Sequence, residues 1–218
     1  MSPVLRLFED TFSDHSVLDA PLPAMPRMIF VVHGSANIDG RPIGDGEAWQ
    51  GDGALMVTPG KGGVTYWRFE LAPVNAGAGM AAGRGVVSHE KLSAPLATLP
   101  GGDLLLRGDS VGFPPGGCAY LHRHQGPGIR CLVEGGIRID THGRSTSYGP
   151  GGAWFESGPE PVFAQAAADR ATRFVRVMVL PRALIGKSSI QYVNEEDKAK
   201  PKSQQYKVFV DVPIARPQ

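Results

Sequence analysis

The chain has 218 residues, with 22 Lys and Arg against 21 Asp and Glu and a formal net charge of +1. Glycine and proline together make about 22 % of it, against an average of about 12 %, yet 42 % of its residues are hydrophobic, too many for a disordered chain. There is no basic field to attract nucleic acid, and no apolar run approaches the length of a membrane span.

Tight turns between short apolar runs point to an all-β sandwich or barrel. The opening MSPVLRLFEDTFSD places acids where a secretory signal needs an uninterrupted apolar stretch, so a cytoplasmic protein is expected. FVVHGSANID (30–39) then aligns with CLVEGGIRID (131–140) at an offset of 101 residues, and GDGEAWQ (44–50) with GPGGAWF (149–155) at an offset of 105. Gly34 falls on Gly135, Asp39 on Asp140 and Trp49 on Trp154. Two further stretches, TYWRFEL (65–71) and RFVRVMVL (173–180), both alternate as strands do. This is a tandem duplication of one β module, with modules at 1–72 and 101–181. Between them, 73–100 starts as an Ala/Gly-rich loop and continues as an edge strand or short helix. In the extension 182–218, the stretch 194–205 is polar enough for a solvated loop. YKVFVDV (206–212) reads as a strand that must pair with a sheet edge, its own or a partner's.

Chemistry concentrates in PPGGCAYLHRHQGPGIRCLVEGGIRID (114–140). Residues i and i+2 of a strand share a face, so His122 and His124 project together and offer two imidazoles to one metal ion. If residues 125–127 close a hairpin, Gly128 faces His124 and Arg130 faces His122. Arg130 then points inward, where a guanidinium needs an anion: Glu134, Glu156 or a substrate carboxylate. Glu156, in WFESG, is the expected third ligand, with Gln125 as an alternative. Trp49 and Trp154 read as core residues of equivalent strands, and His15, His33, His89 and His142 as surface or structural. Cys118 and Cys131 are too few for a disulfide scaffold and read as small buried residues.

With Gly116, His122, His124 and the LVEG that ends at Gly135, the second repeat resembles the first motif of the cupin superfamily, and PGGAWFESGPEPVFAQAA (150–167) resembles its second motif in part. The resemblance implies a bicupin: two tandem cupin-type, jelly-roll-like β-barrels. It also marks departures. The motif-one glutamate position falls on Gly128, and the motif-two histidine position near Val162 or Phe163. In the first repeat Pro21 and Pro23 stand where the second has the histidines, so the N-terminal module is expected to be a degenerate scaffold without metal. The expected function is binding of a divalent first-row metal (Fe, Mn, Zn or Ni) by His122, His124 and Glu156, with Arg130 anchoring a small anionic molecule. The protein is then an oxygenase, isomerase or lyase, or a binding or sensing module without turnover. A homodimer, with the C-terminal strand packed or exchanged across it, is expected.

Overall fold

In a computed structural model, which describes residues 2–217, the chain is all-β apart from two single 3-10 turns. It divides into two compact units, Met1–Ala97 with Ala215–Gln218, and Thr98–Ile214.

Unit 1 contains β1 (Val4–Leu18), β2 (Arg27–Ile38), β3 (Arg41–Gly44), β4 (Ala48–Gly51), β5 (Val57–Ala72) and β6 (Gly83–Pro95). They form one open sheet in the order β3-β2-β5-β1-β6, with β4 also on β2. Alternation sends Phe12, Ile29, Val31, Val64 and Tyr66 to the concave side, where Trp49 and Leu55 join them in one core. Of the two expectations for 86–100, the structure shows the strand: β6 runs along β1.

Unit 2 contains β7 (Leu104–Phe113), β8 (Cys118–His124), β9 (Gly128–Glu134), β10 (Ile137–Thr141), β11 (Arg144–Tyr148), β12 (Ala153–Glu156), β13 (Val162–Ala166), β14 (Thr172–Pro181), β15 (Ile190–Tyr192) and β16 (Gln205–Ile214). They form two open sheets, β11-β10-β13-β8-β15 and β12-β9-β14-β7-β16. Both sheets contribute to one core: Ile137, Ile139 and Val162 from the first, Val111, Phe113, Leu132, Trp154 and Phe174 from the second. Trp49 and Trp154 are core residues, as expected.

The strand registers reproduce the internal repeat. Ile29 lies opposite Arg68 in unit 1, and Arg130 opposite Arg176 in unit 2. Gly34 and Gly135 hold φ of +87° and +86°, and a Cβ on either would stand 2.3 Å from a carbonyl oxygen, of Gly63 and Ala171 respectively. Backbone conformation and space both demand glycine there. Gly135→Ala is expected to cost about 3 kcal/mol. Gly143→Ala, also at positive φ but with open space around it, should cost only about 1 kcal/mol. Urea midpoints of the two variants check the difference.

Two expectations are corrected. β8 and β9 do not form a hairpin; they belong to different sheets, and residues 125–127 carry the chain between them. The crossing is clamped onto β14: Val179 N–H donates to Pro127 O at 2.9 Å, and a Cβ on Gly126 would meet Val179 O at 2.1 Å. The chain therefore runs on into β9 rather than folding back on β8. The C-terminal strand lies on an edge of its own chain, one of the two places expected for it: β16 pairs with β7 from Leu104 to Gly112. Finally, 194–205 is not wholly solvated: Asp197 is buried, and so are both polar atoms of the Gln204 amide. Among the described residues no helix is long and apolar enough to cross a membrane.

Candidate metal centre and adjoining cavity

Alternation along β8 turns His122 and His124 inward, each 4 % exposed, and leaves Arg123 in solvent between them. β15 covers them from the side, with Tyr192 opposite His122 and Ile190 opposite His124. From the other sheet β12 brings in Trp154 and Glu156, and β9 brings Arg130, opposite Trp154. The change of partner for β9 leaves the expected inward direction of Arg130 intact, since its side chain is fully buried.

The two imidazoles meet edge to face, with Nε2 atoms 3.2 Å apart. Two nitrogens bound at right angles to one metal ion at about 2.1 Å stand about 3.0 Å apart, so this spacing suits a shared ion. His122 Nδ1 donates to Tyr120 O at 2.7 Å, which fixes its tautomer and leaves Nε2 as a lone pair. His124 Nδ1 stands 3.3 Å from Ser189 Oγ. With His122 Nε2 a lone pair, the 3.2 Å contact makes His124 Nε2–H the donor and leaves its Nδ1 to accept from Ser189. Were His124 in its other tautomer, both Nε2 lone pairs would converge and Ser189 Oγ would accept. Burial pushes the pKa of His122 down, against an opposing pull from Glu156. Burial, reinforced by Arg130 and Arg176, holds that of His124 well below its usual value. Both rings are therefore neutral at neutral pH, the state a metal ligand requires.

Glu156 Oε1 accepts from Trp154 Nε1 at 2.9 Å. Its Oε2 is buried, 2.7 Å from Arg130 Nη2 and 3.5 Å from His124 Nε2, and no donor is aligned on it for a hydrogen bond. Arg130 also donates to Gly128 O at 2.7 Å; burial pushes its pKa down to about 10 against the pull of Glu156, so it remains charged at neutral pH. Among the described residues no group of three His, Cys, Asp or Glu side chains is arranged to hold a metal ion. The fit is thus of two histidine ligands, with a third oxygen nearby that already faces Arg130. Gln125 lies in the crossing, its N–H on Ser189 O, and Glu134 pairs on the surface with Arg173. Cys131 is buried with its Sγ on Gly151 O at 3.5 Å, and Cys118 is half-buried.

Two features of the site escaped the sequence. The first is a buried fork, Arg176 Nε and Nη2 on Asp109 Oδ1 and Oδ2 at 2.7 and 3.0 Å. Its signal was present: strand parity puts Arg176 inward between Phe174 and Met178 in RFVRVMVL. The second is space. The hollow between His122, His124, Arg130 and Glu156 is only about 20 Å³, room for one water-sized occupant. Beside it, sharing Arg176, Ile190, Gln204 and Tyr206 as walls, lies a cavity of about 360 Å³. No short-range pattern relates Gln204 to His124, 80 residues earlier in the chain.

Unit 1 carries a different interior around the equivalent arginine. Arg68 Nε bonds Asp10 Oδ2 at 2.6 Å and its Nη1 lies 2.7 Å from Glu70 Oε1, which also takes Arg27 Nε at 3.1 Å. All four side chains are fully buried.

The fold is of the cupin class. Among solved structures the chain is similar to oxalate decarboxylase from Bacillus subtilis. An oxalate decarboxylase structure, on the substrate binding mode and a reaction specificity switch, superimposes with a TM-score of 0.66 at 10 % identity, covering 92 % of this chain and 74 % of that one. A serine-to-alanine mutant of the Bacillus subtilis enzyme gives 0.60 at 12 % identity over 81 % and 69 %. AerE from Microcystis aeruginosa gives 0.56 at 8 % identity over 80 % and 87 %. Another of the oxalate decarboxylase structures concerns the Mn(II) centres of that enzyme. At such identities the likeness is one of fold. No family model matches the chain, and no curated protein matches it in sequence.

Proposed function

We propose that unit 2 binds a divalent first-row metal ion through His122 and His124, with Glu156 as third ligand, and carries out metal-dependent chemistry on a small anionic molecule. The observation that carries this is the pair of buried neutral imidazoles whose Nε2 atoms converge at 3.2 Å beside an unaligned carboxylate oxygen. Engaging that oxygen draws Glu156 from Arg130, which then has a charge to offer an anionic ligand. The bound ion would supply positive charge to polarise a chelating oxygen. The Mn(II) centres of oxalate decarboxylase lend support from a protein of like fold. Unit 1 would be scaffold, since Pro21 and Pro23 take the histidine positions there. A second reading, binding without turnover, is favoured by the 2.7 Å contact that Glu156 already makes with Arg130.

Metal analysis of untagged protein tests the proposal. Wild type is expected to carry close to one equivalent, and His122→Ala/His124→Ala to carry none. Equal, substoichiometric metal in both would leave the metal-dependent reading without a basis.

A further inference from the structure

The cavity of about 360 Å³ beside the histidines has a charge and hydrogen-bonding pattern of its own. One sheet lines it with Arg107 and Asp109 on β7, Arg176 on β14 and Tyr206, Val208 and Asp211 on β16; residues 186–192 with Lys202 and Gln204 line the rest. Two of its cations are spoken for: Arg176 by the Asp109 fork, and Arg107 by Asp211 at 2.9 and 3.1 Å. The charges that line it still sum to an excess of cations, because Lys187 and Lys202 join the two arginines against only two carboxylates.

Lys202 is the cation with the most to offer. Its Nζ is held by the backbone carbonyls of Asp197, Lys198 and Lys200 instead of by a carboxylate. It lies 4.4 Å from the centroid of the Tyr192 ring, so it is positioned by carbonyls and a ring face, with no carboxylate in salt-bridge contact among the described residues. Gln204 is the second anomaly. Its Nε2 and Oε1 are both shut off from water and neither has a hydrogen-bond partner. An amide left so costs about 1–3 kcal/mol per unmet group. Gln204 lines the cavity, and a carboxylate oxygen set against it would give Nε2 an acceptor. The rest of the wall near these groups is flat or apolar: Tyr192, Tyr206, Ile190 and Val208.

We propose that this cavity is a binding site for a small planar monocarboxylate, one conjugated or aromatic ring bearing a carboxylate that faces Lys202 and Gln204. The size agrees, since the volume lies at the small end of ligand pockets. The proposal deepens the reading above by giving its anionic molecule a class, and it rests on that reading only for the link to the metal. The ring lies between Tyr192 and Tyr206. Ser189, which lines the cavity and touches His124, is the point at which an occupant meets the histidines.

Titration calorimetry of the full chain with benzoate tests it, with benzamide and benzylamine as neutral and cationic counterparts of one shape. Benzoate is expected to bind, benzamide about tenfold more weakly, and benzylamine not at all. Lys202→Gln should weaken benzoate about tenfold and leave benzamide unchanged. Gln204→Leu should weaken both; neither side chain is part of a core cluster, and unchanged melting curves check the fold. Prior chelation of metal should leave benzoate binding as it was. No binding at millimolar benzoate, or binding indifferent to both substitutions, overturns the proposal. So does binding that disappears on chelation yet survives Lys202→Gln, which would put the carboxylate on the metal. Loss of the metal reading, by contrast, leaves all the benzoate results as expected.

Discussion

Arg68→Met is expected to destabilise unit 1 by about 3–5 kcal/mol, a large part of a domain's stability. The guanidinium is fully buried between Asp10 and Glu70, donates to Gly79 O at 2.9 Å, and stacks 4.3 Å from the centroid of Phe8. Burial alone would push its pKa down, but Asp10 and then Glu70 overcome this and hold it above the usual arginine value. Methionine fills much of the volume and restores none of the charge, so two carboxylates remain against Arg27 alone. Arg68→Lys should lose less, since it keeps the charge and forfeits only the fork. Trp49 and Trp67 both lie in this unit, so urea unfolding followed by their fluorescence in a Trp154→Phe background reads it directly. Equal midpoints for Arg68→Met and the parent would show that the network contributes nothing.

Arg130→Met should have a comparable effect on unit 2, again about 3–5 kcal/mol, because it leaves Glu156 buried beside His124 with no cation in contact. The double variant Arg130→Met/Glu156→Gln is expected to recover most of the loss, as removing both members of a buried pair often costs little. Trp154 is the tryptophan of this unit and donates to Glu156, so its emission follows the transition. Metal content should survive the single substitution. If the double variant is no more stable than the single one, the Arg130–Glu156 contact is not what holds that corner together.

The features that proved legible were those with a fixed period. Parity along β8 and β9 placed His122, His124 and Arg130 in the interior, and the offset between repeats matched Gly34 to Gly135 and Trp49 to Trp154. The crossing at 125–127 was not legible, because Gly and Pro between two strands fit a tight turn as well as a passage between sheets. Its direction is decided by the contacts of Gly126 and Pro127 with Val179, 52 residues further on than Pro127. The Lys202 and Gln204 side of the larger cavity was hidden for a related reason. Residues 194–204 are polar and charged, which marks a surface segment, and only tertiary contacts bury the Gln204 amide and set the exposed Lys202 against the cavity.

The long strands of unit 1 differ from their counterparts in how they cross the bend. β1, β2, β5 and β6 run unbroken for 15, 12, 16 and 13 residues. In unit 2 every counterpart is cut: β7 from β8 at residues 114–117, β9 from β10 at Gly135 and Gly136, β13 from β14 at 167–171, and β15 from β16 at 193–204. Hydrogen-bonded ladders resist shear, and loops do not. Parting the two sides of unit 1 means pulling on strands that continue through the bend, whereas the two sheets of unit 2 are joined there by connecting segments outside the strands. One half of the chain carries its strands through the bend without interruption. The other is expected to open more readily at its bends, so amides beside 114–117 and 167–171 should exchange with solvent faster than those in the middle of β1 and β5, and the histidines and the cavity lie in that half.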